Sequence, residues 1–388
     1  MKVELSKLPP RNEVKLDKQK GIYQNGKDNA YPQRVERIIN SSVTAKTASN
    51  MLKKFIIGGG FEDESLNTIV VNSDLLGETT LLKLLSQIAN SISKQNGAFI
   101  QVQWNANAQI TAVKHIPYRD CRFGKTDSGG YSGKIHVYDN WAKENGAVKL
   151  EKIQVIDNFN PIKNVVEKQM ETIGWRGQIA SIKFEDEAIY PYSLIDAVLE
   201  DADTEAQVSS FKNGELRGGF NAQYFLYHTP FESSQDQIEF KSTIDKFLGG
   251  DHQGSIAMIP AEFDDDGKLV RSKSMELAKI ERTFNADAFD AIEKTIANNI
   301  RKAFAAIPQI LIEAPENSIF GTSGEAFVQA FDFYNTQTAD YRTAISQWLV
   351  SIFKYSADVK LASSTFKIKP LTYGTLDTSG ATTNSTAR

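Results

Sequence analysis

Residues 287–308 read Asp287-Ala288-Phe289-Asp290-Ala291-Ile292-Glu293-Lys294-Thr295-Ile296-Ala297-Asn298-Asn299-Ile300-Arg301-Lys302-Ala303-Phe304-Ala305-Ala306-Ile307-Pro308. Phe289, Ile292, Ile296, Ile300, Ala303 and Ile307 recur at steps of three and four, the spacing that gathers side chains on one face of an α-helix. Pro308 ends the series, because it has no N–H to donate and clashes one turn back. A polar, glycine-containing segment follows, from Pro315 through Glu316, Asn317, Ser318, Ile319, Phe320, Gly321, Thr322 and Ser323 to Gly324. Then Phe327, Phe331, Tyr334, Tyr341, Ile345, Trp348 and Ile352 predict one long helix over 325–353. Two amphipathic rods around a loop without lysine point to a mechanical or assembly element more than to a catalytic pocket.

Working outward, residues 1–33 are charged and turn-rich and read as an extended arm. Residues 34–57 predict one helix, with Val35, Ile38, Ile39, Val43, Met51, Leu52 and Phe55 inward and Gly58-Gly59-Gly60 as its stop. A phosphate cradle would precede a helix, not follow it. Residues 81–94 predict a second helix opened by Thr79-Thr80. Alternating stretches at 98–104 and 110–113 predict a hairpin across Asn105-Ala106-Asn107-Ala108. Strands are expected at 119–123, 134–138, 149–155 and 179–184, with a short helix at 164–172. Ser193 and Asp196 resemble a capping pair for a helix ending at Gly214, whose exposed side is acidic: Asp196, Glu200, Asp201, Asp203 and Glu205. Residues 219–275 read as a strand–helix–strand insertion with an Asp264-Asp265-Asp266-Gly267 turn. A strand at 365–371 and a disordered Thr/Ser-rich tail close the chain.

Composition narrows the function. The 388 residues carry a formal charge of −4, unlike a protein that wraps nucleic acid and would be strongly basic. A single cysteine, Cys121, excludes an internal disulfide or a cysteine metal cluster; its place in an alternating stretch reads as a buried small residue. No signal-peptide pattern opens the sequence and no apolar run suits a membrane span. His115, His136, His228 and His252 are not paired at ligand spacing. There is no P-loop, nucleophile elbow or zinc-protease helix. The Asp264–Gly267 turn lacks the alternating ligands and distal glutamate of a calcium loop. No cofactor and no catalytic residue is expected. Lys294, Arg301 and Lys302 on the polar side of the 287–307 helix are candidate partners for the acidic helix, within a subunit or across an interface, each exposed pair contributing about 0–1 kcal/mol.

The order of these features resembles the portal proteins of tailed bacteriophages. The resemblance rests on Tyr190-Pro191-Tyr192-Ser193-Leu194-Ile195 opening a helix that closes at Phe211-Lys212-Asn213-Gly214. It also rests on Gly249-Gly250 before Ser255-Ile256-Ala257-Met258-Ile259-Pro260, on the helix running through Phe304 to Pro308, and on residues 317–325 before a long helix. It covers roughly residues 30–355. It implies an α+β, portal-like fold: an arm at 1–33, an α/β wing at 34–192, a stem helix at 193–216, a clip at 217–283 and a second stem helix at 284–307. A strand and tunnel loop at 308–324, a long wing helix with a reduced crown at 325–371 and a tail at 372–388 complete it. Glu316 to Ser323 would face DNA in the channel. Glu200, Asp201, Asp203, Glu205, Lys294, Arg301 and Lys302 would form the subunit contact of the stem. The family forms rings, usually of twelve subunits, at one capsid vertex. The implied location is the virion, after assembly in the host cytoplasm. Implied partners are further copies of the chain, the terminase packaging motor, capsid protein or scaffold, a neck or tail adaptor, and double-stranded DNA passing through non-specifically. Two other readings compete: a metal-dependent enzyme acting on phage or mobile-element DNA through the carboxylates at Glu185, Asp186, Glu187, Asp201 and Asp203, and a ring-forming virion component without a conduit.

Overall fold

The alternation at 97–104 becomes a strand with two buried faces. Ala98, Ile100, Val102 and Trp104 enter one hydrophobic core, while Phe99 enters a second core on the opposite side of the sheet, as a period of two requires. The computed structural model describes residues 14–75, 77–127, 132–144, 146–185, 188–217, 224–228, 233–235, 238–239, 242, 256–260, 265–266, 286–313 and 324–372. The fold is α+β. In chain order its strands are β1 (Leu16–Asp17), β2 (Ile22–Tyr23), β3 (Val70–Asp74), β4 (Gly77–Thr80), β5 (Gly97–Trp104), β6 (Ile110–Ile116), β7 (Cys121–Phe123), β8 (Lys134–Val137), β9 (Gln154–Asn158), β10 (Gln178–Lys183), β11 (Tyr224–His228) and β12 (Ile256–Pro260). Its helices are α1 (Tyr31–Ser41), α2 (Val43–Ile57), α3 (Leu81–Gln95), α4 (Lys163–Met170), α5 (Leu199–Arg217), α6 (Ala286–Ala303), α7 (Gly324–Gln337), α8 (Ala339–Phe353) and α9 (Val359–Ser363). They form two compact units, one of residues Met1–Asp203 with Ile296–Arg388 and one of Thr204–Thr295.

In the first unit the sheet runs β6-β5-β10-β9-β8-β7, antiparallel except for β9 beside β10. The predicted hairpin is the β5–β6 pair. The strand expected at 149–155 is instead a 3₁₀ turn at Leu150–Lys152 followed by β9, and the one at 119–123 is a 3₁₀ turn at Tyr118–Asp120 followed by β7. Helices α1, α2, α3 and α8 supply much of the larger core through Ile38, Leu52, Phe55, Leu85, Ile88, Ile345 and Ile352.

The helix expected at 34–57 is two helices. Ser42 takes an extended conformation and its hydroxyl accepts the Ala45 N–H, starting α2 afresh as a serine cap does. The triple glycine does stop α2, and the close approach of residues 367–369 explains why glycine is needed. Gly58 has φ +58°, and a Cβ there would stand 1.9 Å from the Lys369 carbonyl oxygen. Gly59 N–H donates to that oxygen at 3.0 Å. The strand expected at 365–371 reduces to a single bridge, Phe61 with Ile368. Residues 373–388 lie outside the described residues.

The long helix expected over 325–353 breaks at Thr338. The Thr338 hydroxyl donates to the Tyr334 carbonyl at 2.9 Å. Arg342, 7% exposed, then reaches back with Nη2 to the Asn335 carbonyl at 2.7 Å and with Nη1 to Thr338 Oγ1 and the Phe55 carbonyl at 2.8 Å each. Carbonyls freed where a helix is interrupted need such partners when buried. The apolar face still carries through: Phe331, Tyr334, Ile345, Leu349 and Ile352 are buried.

The arm is also not extended where described. Its β1–β2 hairpin docks on the sheet edge, with Ile22 bridging Gly124 and fully buried near Tyr138 and Trp141. Tyr190 Oη donates to the Tyr23 carbonyl at 2.6 Å and accepts the Phe123 N–H at 2.9 Å. Arg122, fully buried, donates Nε to Asn29 Oδ1 at 2.5 Å and Nη2 to the Asn29 carbonyl at 2.6 Å, and lies 5.4 Å from the centre of the Trp141 ring. Residues 1–13 lie outside the described residues.

Beside this lock, burial pushes the Asp120 carboxyl up to about 6; Glu36 and Asp139 push the same way, while Arg119 and Arg122 oppose them. Burial pushes His115 down to about 4. An acid held above its unfolded value lowers stability as pH rises from its ordinary 3.8 to about 6. A histidine held below its unfolded value loses stability as pH falls from 6.5 to about 4. The two slopes oppose one another over pH 4–6. Asp120→Asn is expected to expose the histidine slope. Thermal melts of the variant should match wild type near pH 4 and exceed it at pH 7 by about 1–3 kcal/mol; an unchanged pH profile would contradict this.

Candidate functional site

The residues singled out for assembly lie on α5 and α6, and the structure places these helices side by side. In the first unit Asn299 Nδ2 donates to Asp201 Oδ2 at 3.0 Å. Ala202, Ile296 and Ile300 are buried there. In the second unit Lys212 Nζ lies 2.8 Å from Glu293 Oε1. The expected pattern was acid on the first helix against base on the second. The Lys212–Glu293 pair runs the other way, with the base on α5.

The start and end of α5 and the end of α6 differ from expectation. Ser193 and Asp196 do not form a capping pair. Ser193 Oγ donates to the Lys94 carbonyl at 2.5 Å, and Asp196 Oδ1 accepts the Tyr31 hydroxyl at 2.6 Å. A 3₁₀ turn at Asp196–Val198 leads into α5, which runs past Gly214 to Arg217. At its other boundary, α6 stops at Ala303, before Pro308. Ala305 and Ala306 take left-handed conformations with φ +56° and +52°. The Ala306 and Ile307 N–H groups close onto the Lys302 and Arg301 carbonyls at 3.2 and 3.1 Å. Proline disfavours helix in the residue before it, and the chain turns in the preceding residues. The expected strand after Pro308 is a 3₁₀ turn, Gln309–Leu311.

Of the seven interface candidates, Glu200 is exposed and Asp201, Asp203 and Glu205 are half-buried along α5, while Lys294 and Lys302 are exposed on α6. Arg301 is 7% exposed and is held inside its own chain, with Nη1 donating to Glu313 Oε1 at 3.2 Å and Nη2 to Asn298 Oδ1. Its neighbour in sequence, Lys302, keeps the outward position. Ile292, expected on the buried face, is 46% exposed, and Phe211 on α5 is 41% exposed. In the sequence Phe211 counted only as part of the helix-closing motif Phe211-Lys212-Asn213-Gly214, not as an exposed apolar residue. Glu316, Asn317, Ser318, Ile319, Phe320, Gly321, Thr322 and Ser323 lie outside the described residues.

Of the insertion, β11 and β12 are described. They pair in parallel with Tyr224 opposite Ile256 and His228 opposite Pro260. A parallel pair needs a crossover connection rather than a tight turn. Residues 267–275 of the expected insertion lie outside the described residues.

No cluster of three His, Cys, Asp or Glu suited to a metal occurs among the described residues. Glu185 Oε2 accepts the Tyr192 N–H at 2.6 Å, and Asp186 and Glu187 lie outside the described residues. Cys121 is buried, and that burial pushes its thiol up, away from the thiolate that reactivity needs. No described helix is long and apolar enough to cross a membrane.

No protein-family model matches the chain, and no curated protein matches it. Among solved structures, the chain is similar to a chain in the virion of a native gene transfer agent particle, at 11% identity and a TM-score of 0.47, covering 83% of this chain and 82% of that one. It is similar to a chain in the neck of the native particle, computed with C12 symmetry, at 12% identity and a TM-score of 0.47, covering 87% and 84%. It is also similar to an HK97-family phage portal protein from Corynebacterium diphtheriae, at 10% identity and a TM-score of 0.40, covering 81% and 88%.

The Lys212–Glu293 pair offers a direct check on the helix pairing. Its side chains are 31% and 36% exposed, so solvent screening keeps the coupling to about 0.5 kcal/mol. Lys212→Glu and Glu293→Lys are each expected to lower stability in chemical denaturation, and the double swap to recover most of the loss. Additive losses in the double variant would mean that the two helices are not paired through these residues.

Proposed function

We propose that this chain is a portal-type subunit: copies close into a ring at one capsid vertex, through which double-stranded DNA passes during packaging and ejection. The observation that carries the reading is the pairing of α5 with α6, helices that in sequence precede and follow an insertion containing a parallel strand pair. Helix, insertion, helix and then loop and helix is the order that the resemblance assigns to stem, clip, stem, tunnel loop and wing. A 19-residue α5 is about 28 Å long at 1.5 Å per residue, a length suited to a tube wall. A closed ring needs head-to-tail contacts between unlike faces. The mildly acidic chain suits a conduit, since strong phosphate binding would resist sliding.

In this reading the exposed sides of α5 and α6 meet those of neighbouring copies, through Glu200, Asp203 and Glu205 on one and Lys294 and Lys302 on the other. Glu316 to Ser323 contact the moving DNA. The packaging motor, a neck or tail adaptor, and capsid protein or scaffold dock on the ring, which resides in the virion. The subunit itself contributes no catalytic residue.

Light scattering of purified full-length protein and negative-stain averages viewed down the ring axis are expected to show rings, twelvefold by the family's habit. A monodisperse monomer at high concentration, with or without capsid scaffold, would overturn the reading. Deleting residues 317–323 is expected to leave rings intact while changing DNA packaging or retention. Loss of rings with normally folded subunits would make that loop a subunit contact instead.

A further inference from the structure

Left-handed residues end three helices of this chain, and the third set is of an unusual type. After α2 the residue is Gly58, φ +58°, and after α3 it is Asn96, φ +57°; glycine and asparagine are the usual choices at such stops. After α6 the residues are Ala305 and Ala306, the one consecutive pair of non-glycine residues at positive φ among the described residues. The left-handed region sets Cβ against the following carbonyl oxygen, so two alanines in a row carry strain that glycines would not. Alanine is also the residue that most favours the right-handed helix. Local preference over 304–306 points to a longer α6, and the fold holds these residues out of it.

What holds them is packing and a few polar contacts. Phe304 is fully buried, and Ile307 and Leu311 are 3% and 8% exposed, all three in the larger core. The Tyr334 hydroxyl fixes the Phe304 carbonyl at 3.0 Å. Beyond the turn, the Glu313 carboxylate accepts from Arg301 Nη1 at 3.2 Å and from Gln309 Nε2 at 3.1 Å, which ties residues 309–313 back onto the last turn of α6. Backbone hydrogen bonds do not favour the bend. A continued ladder would give the Ala305 N–H the Arg301 carbonyl and the Ile307 N–H the Ala303 carbonyl, whereas here Ile307 takes the Arg301 carbonyl at 3.1 Å. The Phe304 carbonyl alone gains nothing by straightening, because its partner four residues on is Pro308, which has no N–H. Core packing, Tyr334 and Pro308 thus oppose local strain and helix propensity at one joint. Strain held in place by its surroundings in this way marks segments that switch.

We infer that Ala305-Ala306 is a two-state joint. In one state α6 stops at Ala303, as in this structure; in the other it runs on through Ala306 and is about 4.5 Å longer at 1.5 Å per residue. Running on reorients residues 307–313 against α6 and opens the Arg301–Glu313 tie, whose acid is 44% exposed. The joint therefore sets where the chain beyond Glu313 begins. The inference concerns the folded subunit and does not rest on the ring reading.

The test uses the full-length chain with 13C-labelled alanine, whose Cα and Cβ shifts report the hand of the backbone. Wild type is expected to show left-handed values at Ala305 and Ala306. Pro308→Ala supplies the missing N–H and frees Ile307 from the restriction before proline, and is expected to move both toward right-handed values. Tyr334→Phe should move them the same way, and it decides the question if Pro308→Ala does not fold. Ala305→Gly is expected to favour the bend by about tenfold or more, so that Ala306 in the Ala305→Gly, Pro308→Ala double variant returns to its left-handed value. The same glycine should raise the midpoint of chemical denaturation, a measurement that stands even if neither of the other variants folds. Left-handed shifts that stay fixed in Pro308→Ala and in Tyr334→Phe overturn the joint, as does a lowered midpoint in Ala305→Gly.

Discussion

The Arg342 guanidinium joins three pieces of the first unit that sequence places far apart. It takes the last turn of α7 through the Asn335 carbonyl, the break itself through Thr338, and α2 through the Phe55 carbonyl. A buried arginine with its donors satisfied by carbonyls needs no carboxylate partner, but its removal leaves several buried acceptors unpaired. Around it, Phe55 meets Phe331 and Tyr334 with ring centres 4.8 Å apart in each case. The Tyr334 hydroxyl in turn donates to the Phe304 carbonyl at 3.0 Å, just past the end of α6. One polar node and one aromatic cluster therefore fix where the residues following α6 meet the helical layer.

A second buried arginine does comparable work at the β7 edge of the sheet. Arg122 holds the Asn29 turn, and with Tyr190 it ties the incoming arm to the β7 edge. An edge strand left open is a template for unwanted pairing, and the docked arm covers part of this one. The opposite edge is partly covered as well: Ile110 N–H donates to the Tyr355 carbonyl, and its own carbonyl accepts the Ala357 N–H. A sheet closed in this way offers less edge for strand addition.

Much of this was legible in the sequence, for physical reasons. The β5–β6 hairpin is marked by alternation from Ile100 to Trp104 and by the Asn105-Ala106-Asn107-Ala108 turn, and Gly58-Gly59-Gly60 follows an apolar helical series with nothing to continue it. The break at Thr338 leaves no mark in the pattern, because Tyr334 and Tyr341 are seven residues apart and keep the same face. Its cause is tertiary, an arginine reaching α2. The early end of α6 is hidden for a similar reason: Ala303 to Ala306 are good helix formers, and two of the alanines turn left-handed only because the chain must reach Ile307 and Pro308. Ser42 did offer a signal, a capping residue ahead of Val43 and Thr44. The arm was misread because the charges at 15–20 mask Ile22, and β3–β4 was not read at all because Leu75-Leu76 looks nothing like a turn. Among the site residues, the acid-against-base pattern expected between the two helices did not foretell their contacts, since the ion pair that joins α5 to α6 has its base on α5. Side-chain reach decided that Arg301 would fold onto Glu313 while Lys212 met Glu293.

The portal reading depends on the residues after α6 acting as one body with α7 and α8, which the Tyr334–Phe304 hydrogen bond and the Arg342 contacts join. The most direct measurement is the unfolding free energy of Arg342→Lys and Arg342→Met in urea, with hydrogen exchange followed at Phe55, Phe304 and Tyr334. A single ammonium cannot reach all three acceptors, so lysine is expected to rescue little. Both variants should lose about 2–4 kcal/mol, with faster exchange appearing together in α2 and in both helices flanking Thr338. Losses within about 0.5 kcal/mol of wild type, or faster exchange confined to α8, would contradict the account.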